Sequence, residues 1–518
     1  MSVRLPSPAA VPAAPASRAA DPAAGRRRAA FVALGLAAFT VMYALLPGTH
    51  SVVHTWTATL LVLVLLWGYL LHQNHGRVPL RSDALMLAGF TLVYLLPPLY
   101  LSLRDGSRVV DYWNVSALQP QVALLTGAAA LLMLVSFRGV HRRLGGTDVL
   151  IPPPAPTLPM SRVLLGLGPM VVVIVGARLF LLASGAYYWT YSEDAFVGGR
   201  WYSLTMALSR YGLFLPLLLW KLAERDRRWR PWMLAATAAE LAWVLPSGSR
   251  QALLETMLGL LLVVWWRNGR LPRGRIAAIL LAATFTMPIL GEYRNTIGRY
   301  TGTSSVSMDA TARALWEARD RLGFEGSMEL ADRFVDRLYD AQFFGYLIKN
   351  YRKSYDWEYG RTYTERLPYV FAPHFLTGGD APGMQFGLDR WFKLLLRGTN
   401  PATMLGEGYA NFGYLGIPLV AVVLGVVLAL YEAAVRRLRE NVFIDAVYLL
   451  HASMLPFMVS TTLVAFLAFL RNALVMMVVV VVFTRILRSV GVRPRAAGPA
   501  LAAAPHGGAL RARTGGAR

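Results

Sequence analysis

Long apolar stretches recur along this chain from Phe31 to Val490, and they constrain its fold more than any other feature. Many of them approach the ~20 residues that a helix needs to cross the hydrocarbon core of a bilayer. Only 16% of the 518 residues are charged, compared with about a quarter in a soluble domain. The short alternating segments that build a membrane β-barrel do not occur in the sequence. The pattern therefore predicts an all-α polytopic membrane protein.

The apolar stretches divide into about twelve predicted transmembrane helices. We place these helices at residues 29–47, 53–72, 83–103, 119–137, 162–184, 201–222, 232–247, 250–266, 274–293, 408–433, 442–461 and 471–489. The predicted organisation has five parts, namely a disordered tail at 1–28, helices at 29–293, a cap loop at 294–402, helices at 403–490 and a second disordered tail at 491–518.

The positions of the basic residues predict which side of the membrane each loop faces. The formal net charge is +23, and much of the excess lies in the two tails and in short loops such as "HRRLGG" and "RRLREN". Short basic loops between membrane spans remain in the cytoplasm. Threading the chain from a cytoplasmic N-terminus places every strongly basic loop and both termini there. The charge therefore indicates topology, and we predict no binding of nucleic acid.

Composition and motifs also exclude several kinds of catalytic and metal-binding site. The sequence has no cysteine, which excludes disulfides, thiolate metal sites and cysteine nucleophiles. His50 and His54 are spaced like metal ligands but lack a nearby acid, and the triplet "DWE" at Asp356–Glu358 is a weak paired-acid pattern. A phosphate-binding glycine loop and a nucleophile elbow are also missing. We therefore predict neither a metal nor a cofactor.

The long connection at 294–402 falls outside the cytoplasm on this threading, and its dense but nearly balanced charge predicts a folded cap. Its first half spaces apolar residues along one helical stripe, namely Leu330, Phe334, Leu338, Ala341 and Ile348. The following text, "YGRTYTERLPYVFAPHFLTGGDAPGMQFG", is rich in glycine, proline and aromatic residues and predicts an irregular loop. Its aromatic side chains either form the core of the cap or stack on sugar faces.

Ionisable residues at membrane depth are candidates for function because their burial is costly. Arginines lie within predicted spans or at their outer ends, and the last of them opens the final span: Arg178, Arg210, Arg250, Arg294, Arg299 and Arg471. The acids Glu240 and Glu255 lie nearby in sequence. One interpretation pairs Arg210 with Glu240, or Arg178 with Glu255, as structural ion pairs. The other brings the arginines together around one hollow that opens outward.

Guanidinium groups bind phosphate oxygens through paired, charge-assisted hydrogen bonds and stay protonated at any working pH. Several of them around a hollow open to lipid predict an anionic lipid head group, best a pyrophosphate on a polyprenyl chain. Arginines would stabilise the charge of such a leaving group. A carboxylate or histidine would then activate the incoming sugar hydroxyl, and the candidates are Glu407, Glu292, Asp380 and His374.

The stretch "GTNPATMLGEGYANFGYLG" after the cap combines a turn, a helix start and polar groups. Thr403 is placed to cap the helix that follows. Its glycines permit the close approach of another backbone or a ligand, at Gly406, Gly408, Gly413 and Gly416. Glu407, Tyr409 and Asn411 supply an acid, a hydroxyl and an amide at the mouth of the predicted hollow.

Two motifs in these regions resemble those of a known family. The text "E-x-Y-x-N-F-G-x-x-G" after the cap resembles the segment that follows the large periplasmic loop of O-antigen polymerases of the Wzy type. "PSGSRQALLETMLGLLLV" resembles the G-S-R-G-x-L helix of these oligosaccharide repeat unit polymerases, although Gln251 replaces the usual glycine. The numerous spans and the single long outer loop are similar too.

The resemblance implies a metal-independent glycosyltransferase of the GT-C class in the bacterial inner (cytoplasmic) membrane. Such an enzyme transfers a glycan from undecaprenyl pyrophosphate to a lipid-linked repeat unit at the periplasmic face. Its expected partners are membrane lipid, a flippase and a chain-length regulator. Arg250 would contact the pyrophosphate, while Glu407 and Asn411 would line the acceptor side. We expect Glu407, Arg250 and Arg294 to be catalytic. Substrate would be bound by the rest of the set, Arg178, Arg210, Arg299, Arg471, Asn411, Tyr409 and His374.

Three alternatives remain open at the level of sequence. An O-antigen ligase uses the same donor but typically has a His–Asn pair in its outer loop. The only histidine in the predicted cap is His374. A lipid-linked oligosaccharide flippase or other transporter would often show internal repeats, and we find none. A non-catalytic subunit of an export complex would have no use for the arginines.

Overall fold

The computed structural model describes most of the predicted helical regions and part of the cap. The described residues are 34–35, 38, 52–74, 78–104, 115–146, 160–183, 208–223, 226–247, 249–268, 274, 276–278, 286, 290, 293, 313, 316–317, 340–371, 403–438 and 442–489. All regular structure among them is helical. Most of the first and ninth predicted spans, residues 201–207 of the sixth, both tails and most of the cap outside residues 340–371 lie outside the described residues.

The α-helices are, in chain order, α1 (Val52–Gln73), α2 (Ser82–Phe90), α3 (Leu96–Arg104), α4 (Gln119–Arg143), α5 (Met160–Ala183), α6 (Phe214–Ala223), α7 (Arg230–Val244), α8 (Arg250–Asn268), α9 (Asp340–Ser354), α10 (Arg361–Thr364), α11 (Leu367–Phe371), α12 (Met404–Phe412), α13 (Gly416–Leu438), α14 (Val442–Met454) and α15 (Leu463–Ser489). A π-helical segment joins α2 to α3 at Thr91–Leu95. Short 3-10 helices lie at Ser116–Leu118, Tyr211–Leu213, Arg227–Trp229, Gly413–Leu415 and Leu455–Ser460.

Six helical stretches within the described residues are long and apolar enough to cross a membrane: Val53–Gln73, Ser82–Tyr100, Gln119–Arg143, Met404–Leu438, Phe443–Ser460 and Leu463–Val482. Two shorter apolar helices lie at Leu167–Ala183 and Gln251–Trp266. These stretches confirm an α-helical membrane protein. They fall where the sequence predicts spans two to five, eight and ten to twelve.

Exposed apolar side chains form continuous surfaces on several of these helices. On α15 they follow one helical face, at Val475, Val478, Val479 and Val482. On α5 they include Val172, Leu179 and Phe180. A surface of this kind is stable against lipid, because helices satisfy their own backbone hydrogen bonds there.

The centre of the described structure is the pairing of α4 with α13, the most extensive helix contact among the described residues. Gly425 of α13 permits this close packing. A Cβ atom at Gly425 would lie 2.1 Å from Ser136 Oγ and 2.3 Å from the Met133 carbonyl oxygen. The neighbouring backbone cannot yield easily, so a side chain at this position would force the two helices apart.

The last helix begins earlier than the sequence predicts. We expected it to start at Arg471, but α15 begins at Leu463, so Arg471 lies about two turns inside the helix. Thr462 precedes the helix, and its Oγ1 accepts a hydrogen bond from Ala465 N at 3.2 Å. The residues of the first two turns include the buried Phe466 and Leu470, so the start is fixed by packing against the core and not by the first charge.

The described part of the cap is helical on both sides of a turn. Helix α9 buries Phe343, Phe344 and Leu347, and the Phe344 ring packs edge-on against Tyr94, with centroids 6.2 Å apart. Ala341 of the predicted stripe is fully buried and Ile348 is half-buried, while its first three residues lie outside the described residues. The prediction of an irregular loop is wrong between Arg361 and Phe371, where the chain forms α10 and α11.

Gly425→Ala should lower the melting temperature of the detergent-purified protein, because overpacking a tight helix contact costs about 1–3 kcal/mol. Gly68→Ala on α1 is the matched control, since a Cβ there meets nothing within 4 Å. Thermal unfolding of both variants, followed by intrinsic fluorescence, checks this prediction. Equal melting temperatures for the two variants would contradict it.

Candidate functional site

The helix that follows the cap starts as the sequence predicts. Thr403 has an extended backbone and accepts a hydrogen bond from Gly406 N at 3.1 Å through its Oγ1 atom. This is an N-cap, which satisfies one of the N–H groups left free at the start of a helix. The predicted N-cap at Thr403 is therefore confirmed, and it fixes where α12 begins.

Helix α12 folds back onto α13, although the two form one continuous apolar stretch in the sequence. Gly413 separates them with φ 61° and ψ −145°, a backbone region that essentially only glycine occupies. A Cβ at Gly416 would lie 1.8 Å from the Gly408 carbonyl oxygen. In an uninterrupted helix these residues would be about 12 Å apart. The predicted close approach at the glycines is therefore confirmed, as the packing of one backbone against another.

Glu407 lies on α12 and is 2% exposed. Its Oε2 atom accepts a hydrogen bond from Leu463 N at 2.7 Å, at the first turn of α15. The side chain of Thr362 in α10 also hydrogen-bonds the carboxyl group, and Arg366 acts on it electrostatically. This one carboxyl group therefore joins α12, α15 and the cap.

Asn411 completes the same network. Its Oδ1 atom accepts from Gly360 N at 2.9 Å, and its Nδ2 atom donates to Thr362 Oγ1 at 2.7 Å and to the Glu407 carbonyl oxygen at 2.8 Å. The side chain is fully buried and both amide protons are used. Asn411 is thus a latch between the cap and the end of α12.

Backbone bonds reinforce this latch. Glu358 N donates to the Ala410 carbonyl oxygen and Tyr359 N to the Asn411 carbonyl oxygen, both at 3.1 Å. Carbonyl groups in the last turn of a helix have no partner within the helix. The cap supplies two such partners, so α12 ends against the cap and not in lipid.

Aromatic rings surround the network. Tyr409 donates its hydroxyl to the Ile348 carbonyl oxygen at 3.2 Å, and its ring packs edge-on against Trp357, with centroids 5.4 Å apart. Tyr363 stacks on Phe412, with centroids 6.4 Å apart. Burial, with a smaller contribution from Glu407, raises the pKa of the Tyr363 phenol well above its usual value. The Tyr363 phenol is therefore neutral.

Some aromatic residues of the cap form part of its core, as one of the two predictions has it, whereas stacking on sugar faces stays a prediction. Trp357 and Tyr363 pack inside, whereas Tyr359 and Phe371 are largely exposed.

Arg471 reaches the same cap segment from α15. It donates to the carbonyl oxygen of Val370, in the last turn of α11, and both Nε and Nη2 donate to Asn472 Oδ1. The side chain is half-buried. Arg471 therefore holds α11 against α15.

Two other predicted arginines lie among α5 to α8. Arg178 forms an ion pair with Glu240 at 2.6 Å, donates to the Ser209 carbonyl oxygen at 3.2 Å and lies over the Trp243 ring, 4.7 Å from its centroid. A Cβ at Gly212 would collide with this pair.

Arg210 is exposed and interacts electrostatically with Glu255, whose Oε1 accepts from Gln251 Nε2 at 2.7 Å. The pairings Arg210 with Glu240 and Arg178 with Glu255 are therefore wrong. Helix packing exchanges the partners, and the spacing along the sequence could not indicate this.

The remaining predicted site residues stay predictions. Arg250 opens α8, while Arg294, Arg299, His374, Glu292 and Asp380 lie outside the described residues. The structure therefore brings together Glu407, Asn411 and Tyr409. Arg471 of α15 contacts the cap at α11, a few residues beyond Thr362. Among the described residues, no group of three or more His, Asp or Glu could hold a metal ion.

Sequence reasoning missed Thr362 and Arg366, because the segment that contains them reads as an irregular loop. It also missed a second buried polar network around Glu432, which lies one turn before the basic end of α13. The signal for Glu432 was an acid inside the apolar stretch, in "YEAAVRR".

No protein-family model, curated protein or solved structure matches this chain.

Asn411→Ala should release the cap from α12, because it leaves the buried Gly360 N–H without its partner at a cost of about 1–3 kcal/mol. We expect proteases to cleave the segment around 358–371 faster in this variant, while the membrane helices stay intact. Limited proteolysis with mass spectrometry measures the rate. Glu365→Ala, an exposed change in the same segment, is the control, and equal cleavage rates in both variants would refute the latch.

Proposed function

We propose that this chain is a polysaccharide polymerase of the inner membrane. It transfers a glycan from undecaprenyl pyrophosphate to a lipid-linked repeat unit at the periplasmic face. The proposal includes about twelve membrane spans in a GT-C-like arrangement, with both termini in the cytoplasm. The observation that carries it is the buried carboxyl group of Glu407, which is held in a fixed position where the cap meets two membrane helices.

The chemistry requires a base for the acceptor. A sugar hydroxyl of the lipid-linked repeat unit attacks the anomeric carbon of the donor glycan, and Glu407 takes the hydroxyl proton. The bond from that carbon to the pyrophosphate oxygen breaks, and undecaprenyl pyrophosphate leaves with the bonding electrons. Hydrogen bonds from Leu463 N and the Thr362 side chain orient the Glu407 carboxyl group for this role.

Access to Glu407 requires the cap to move, because the side chain is almost fully buried. The segment around α10 covers it and is held by the Asn411 latch. We therefore assign the segment 358–371 the role of a lid, which opens when the lipid-linked substrates bind. Asn411 then serves the acceptor side by positioning this lid.

Arginines stabilise the leaving pyrophosphate in this proposal. We assign this role to Arg250, Arg294 and Arg299, with Arg366 in the lid and Arg471 bound to it. Arg366 already acts on Glu407, and Arg471 binds backbone carbonyl oxygens that a phosphate oxygen can replace as acceptors. Arg178 forms an ion pair with Glu240, so we assign it a structural role.

One alternative is favoured by a specific feature of the fold. Transporters often contain interrupted helices at their binding sites. Here α12 folds back at Gly413, a π-helical segment interrupts Ser82–Tyr100 and a 3-10 helix ends Phe443–Ser460. A flippase for lipid-linked oligosaccharides is therefore the second candidate, and an O-antigen ligase shares the chemistry of the first.

Glu407→Gln should abolish long polymer in a strain that lacks the chromosomal copy. Glutamine keeps an oxygen for Leu463 N but cannot take the proton, and loss of a general base lowers a rate by about 100-fold or more. Gel display of the polysaccharide should show single repeat units and no long chains. Glu365→Gln is the matched control, and the amount of each variant in the membrane is measured by immunoblot.

Long chains at wild-type levels from Glu407→Gln would contradict the assignment of the base. Loss of the single repeat unit as well would favour the flippase or the ligase.

Arg250→Ala and Arg294→Ala should give the same pattern, because each removes a positive charge from the proposed pyrophosphate site. Lysine at either position restores the charge but not the paired hydrogen bonds, so we expect partial recovery of chain length. Gels of the polysaccharide from the two alanine and two lysine variants measure chain length. Unchanged chain length in both alanine variants would remove these arginines from the mechanism.

A further inference from the structure

Tyr359, near the start of the segment 358–371, has a backbone conformation that is costly for a tyrosine. Its φ is 46°, and in the part of the chain that the structure describes it is the only residue other than glycine with a positive φ. In this region the Cβ atom of an L-residue crowds its own backbone, so glycine or asparagine usually takes such a position. The turn is needed because Glu358 N, Tyr359 N and Gly360 N all donate to the end of α12. These bonds explain the backbone but not the tyrosine.

The side chain of Tyr359 points away from the protein. It is 76% exposed, and its phenol and ring form no hydrogen bond and no ring contact with any described residue. The nearby rings of Trp357 and Tyr363, in contrast, pack against the core. Strained residues persist at sites where the molecule gains from them. A large ring at a costly position, without a contact inside the chain, therefore indicates a contact outside it.

Tyr359 lies at one end of a continuous exposed apolar surface. Its N–H group bonds the Asn411 carbonyl oxygen at 3.1 Å, and the next ring, Phe412, lies beside Gly360, where a Cβ would be 3.1 Å from Phe412 Cζ. The exposed side chains continue from there into α13, namely Phe412, Tyr414, Leu415, Leu419 and Val422. The last three are four and three residues apart, the spacing of neighbours on one helical face.

The composition of this surface matches the boundary of a bilayer. Leu419 and Val422 lie in the stretch Met404–Leu438, which is long and apolar enough to cross a membrane, so their exposed side chains face lipid. Tyrosine is enriched at the level of the lipid head groups, because its ring is apolar and its hydroxyl is polar. Tyr359 and Tyr414 therefore have the chemistry expected where this lipid-facing surface meets water.

The charged side chains of the same segment pair with one another. Arg361 Nε lies 3.4 Å from Glu358 Oε2 and 3.4 Å from Glu365 Oε1. The Arg361 and Glu365 side chains are exposed, and exposed ion pairs of this kind belong in water. The segment thus offers both an aromatic edge and a charged surface, as expected of a structure that rests on a membrane.

We propose that Tyr359 anchors the segment 358–371 to the bilayer surface on the cap side of the membrane. Its ring lies between the acyl chains and the head groups, beside Phe412 and Tyr414, and its hydroxyl bonds to head groups or water. The partner is the lipid surface itself, so the contact needs no substrate and does not depend on the proposed function. It restrains one end of the segment, while the bond from Arg471 to the Val370 carbonyl oxygen restrains the other.

A sugar ring is the alternative occupant, since tyrosine rings also stack on sugar faces. The lipid surface is favoured because the exposed side chains that follow Phe412 and Tyr414 are aliphatic, with Leu415 79% exposed. Aliphatic side chains offer no hydrogen bond to a sugar hydroxyl, and these continue directly into a face that meets lipid.

The absence of cysteine from the chain allows the depth of position 359 to be measured with a single label. The full-length variants Tyr359→Cys, Val478→Cys and Glu365→Cys carry a nitroxide in phosphatidylcholine nanodiscs without substrate. Collisions of the nitroxide with oxygen, which concentrates in lipid, are compared with collisions with a water-soluble nickel complex. Val478 on the exposed face of α15 is the lipid reference, and the exposed Glu365 is the water reference.

We expect the oxygen-to-nickel collision ratio at position 359 to lie between the two references and well above the ratio at 365. A ratio equal to that at 365 overturns the proposal. A ratio that equals the water reference and changes only when a soluble oligosaccharide is added also overturns it, in favour of sugar stacking.

Tryptic cleavage after Arg361 and Arg366 in the same nanodiscs tests whether the ring restrains the segment. Tyr359→Asn removes the ring but tolerates the positive φ, so we expect cleavage to become severalfold faster. Tyr359→Trp keeps an interfacial ring and should be cleaved at the wild-type rate. If the residue served only the turn, asparagine would relieve strain and leave cleavage unchanged or slower, and that result would overturn the anchoring role.

Discussion

The hydrogen-bonded junction of Glu407, Thr362 and Asn411 is the contact on which the candidate site depends. These three side chains connect segments that are far apart in the sequence, namely the cap, the short helix α12 and the start of α15. The junction exists because Gly413 lets the chain reverse after α12. Without that reversal, the Glu407 carboxyl group would lie on a continuous helix and could not meet both the cap and Leu463.

The same physical rule explains both buried networks. Inside a membrane protein each polar group needs a partner, since water cannot provide one. Near one end of α13 the partners of Glu407 come from the cap and from a helix start. Near the other end, the Glu432 carboxyl group accepts hydrogen bonds from Ser82 N and from the Tyr448 hydroxyl. In both networks the partners come from helices other than the one that carries the acid.

Much of the helical framework could be predicted from the sequence, because apolar length and basic loops follow from the chemistry of the bilayer. The helix N-cap at Thr403 and the close packing of the glycines were also predictable, since both depend on neighbours in the chain. The start of α15 was not, because its first two turns are apolar and only packing decides that they are helical. The partners of Arg178 and Arg210 were missed for a related reason, as each lies on a different helix from its acid.

The most direct test of the proposed function is glycan elongation by the purified protein. The protein is supplied with undecaprenyl-pyrophosphate-linked repeat units in a buffer with chelator, and both glycan length and free undecaprenyl pyrophosphate are measured. The account predicts chains of increasing length, with one undecaprenyl pyrophosphate released for each linkage formed and no need for a divalent metal. Folded wild-type protein that binds these lipids but releases no undecaprenyl pyrophosphate would contradict it.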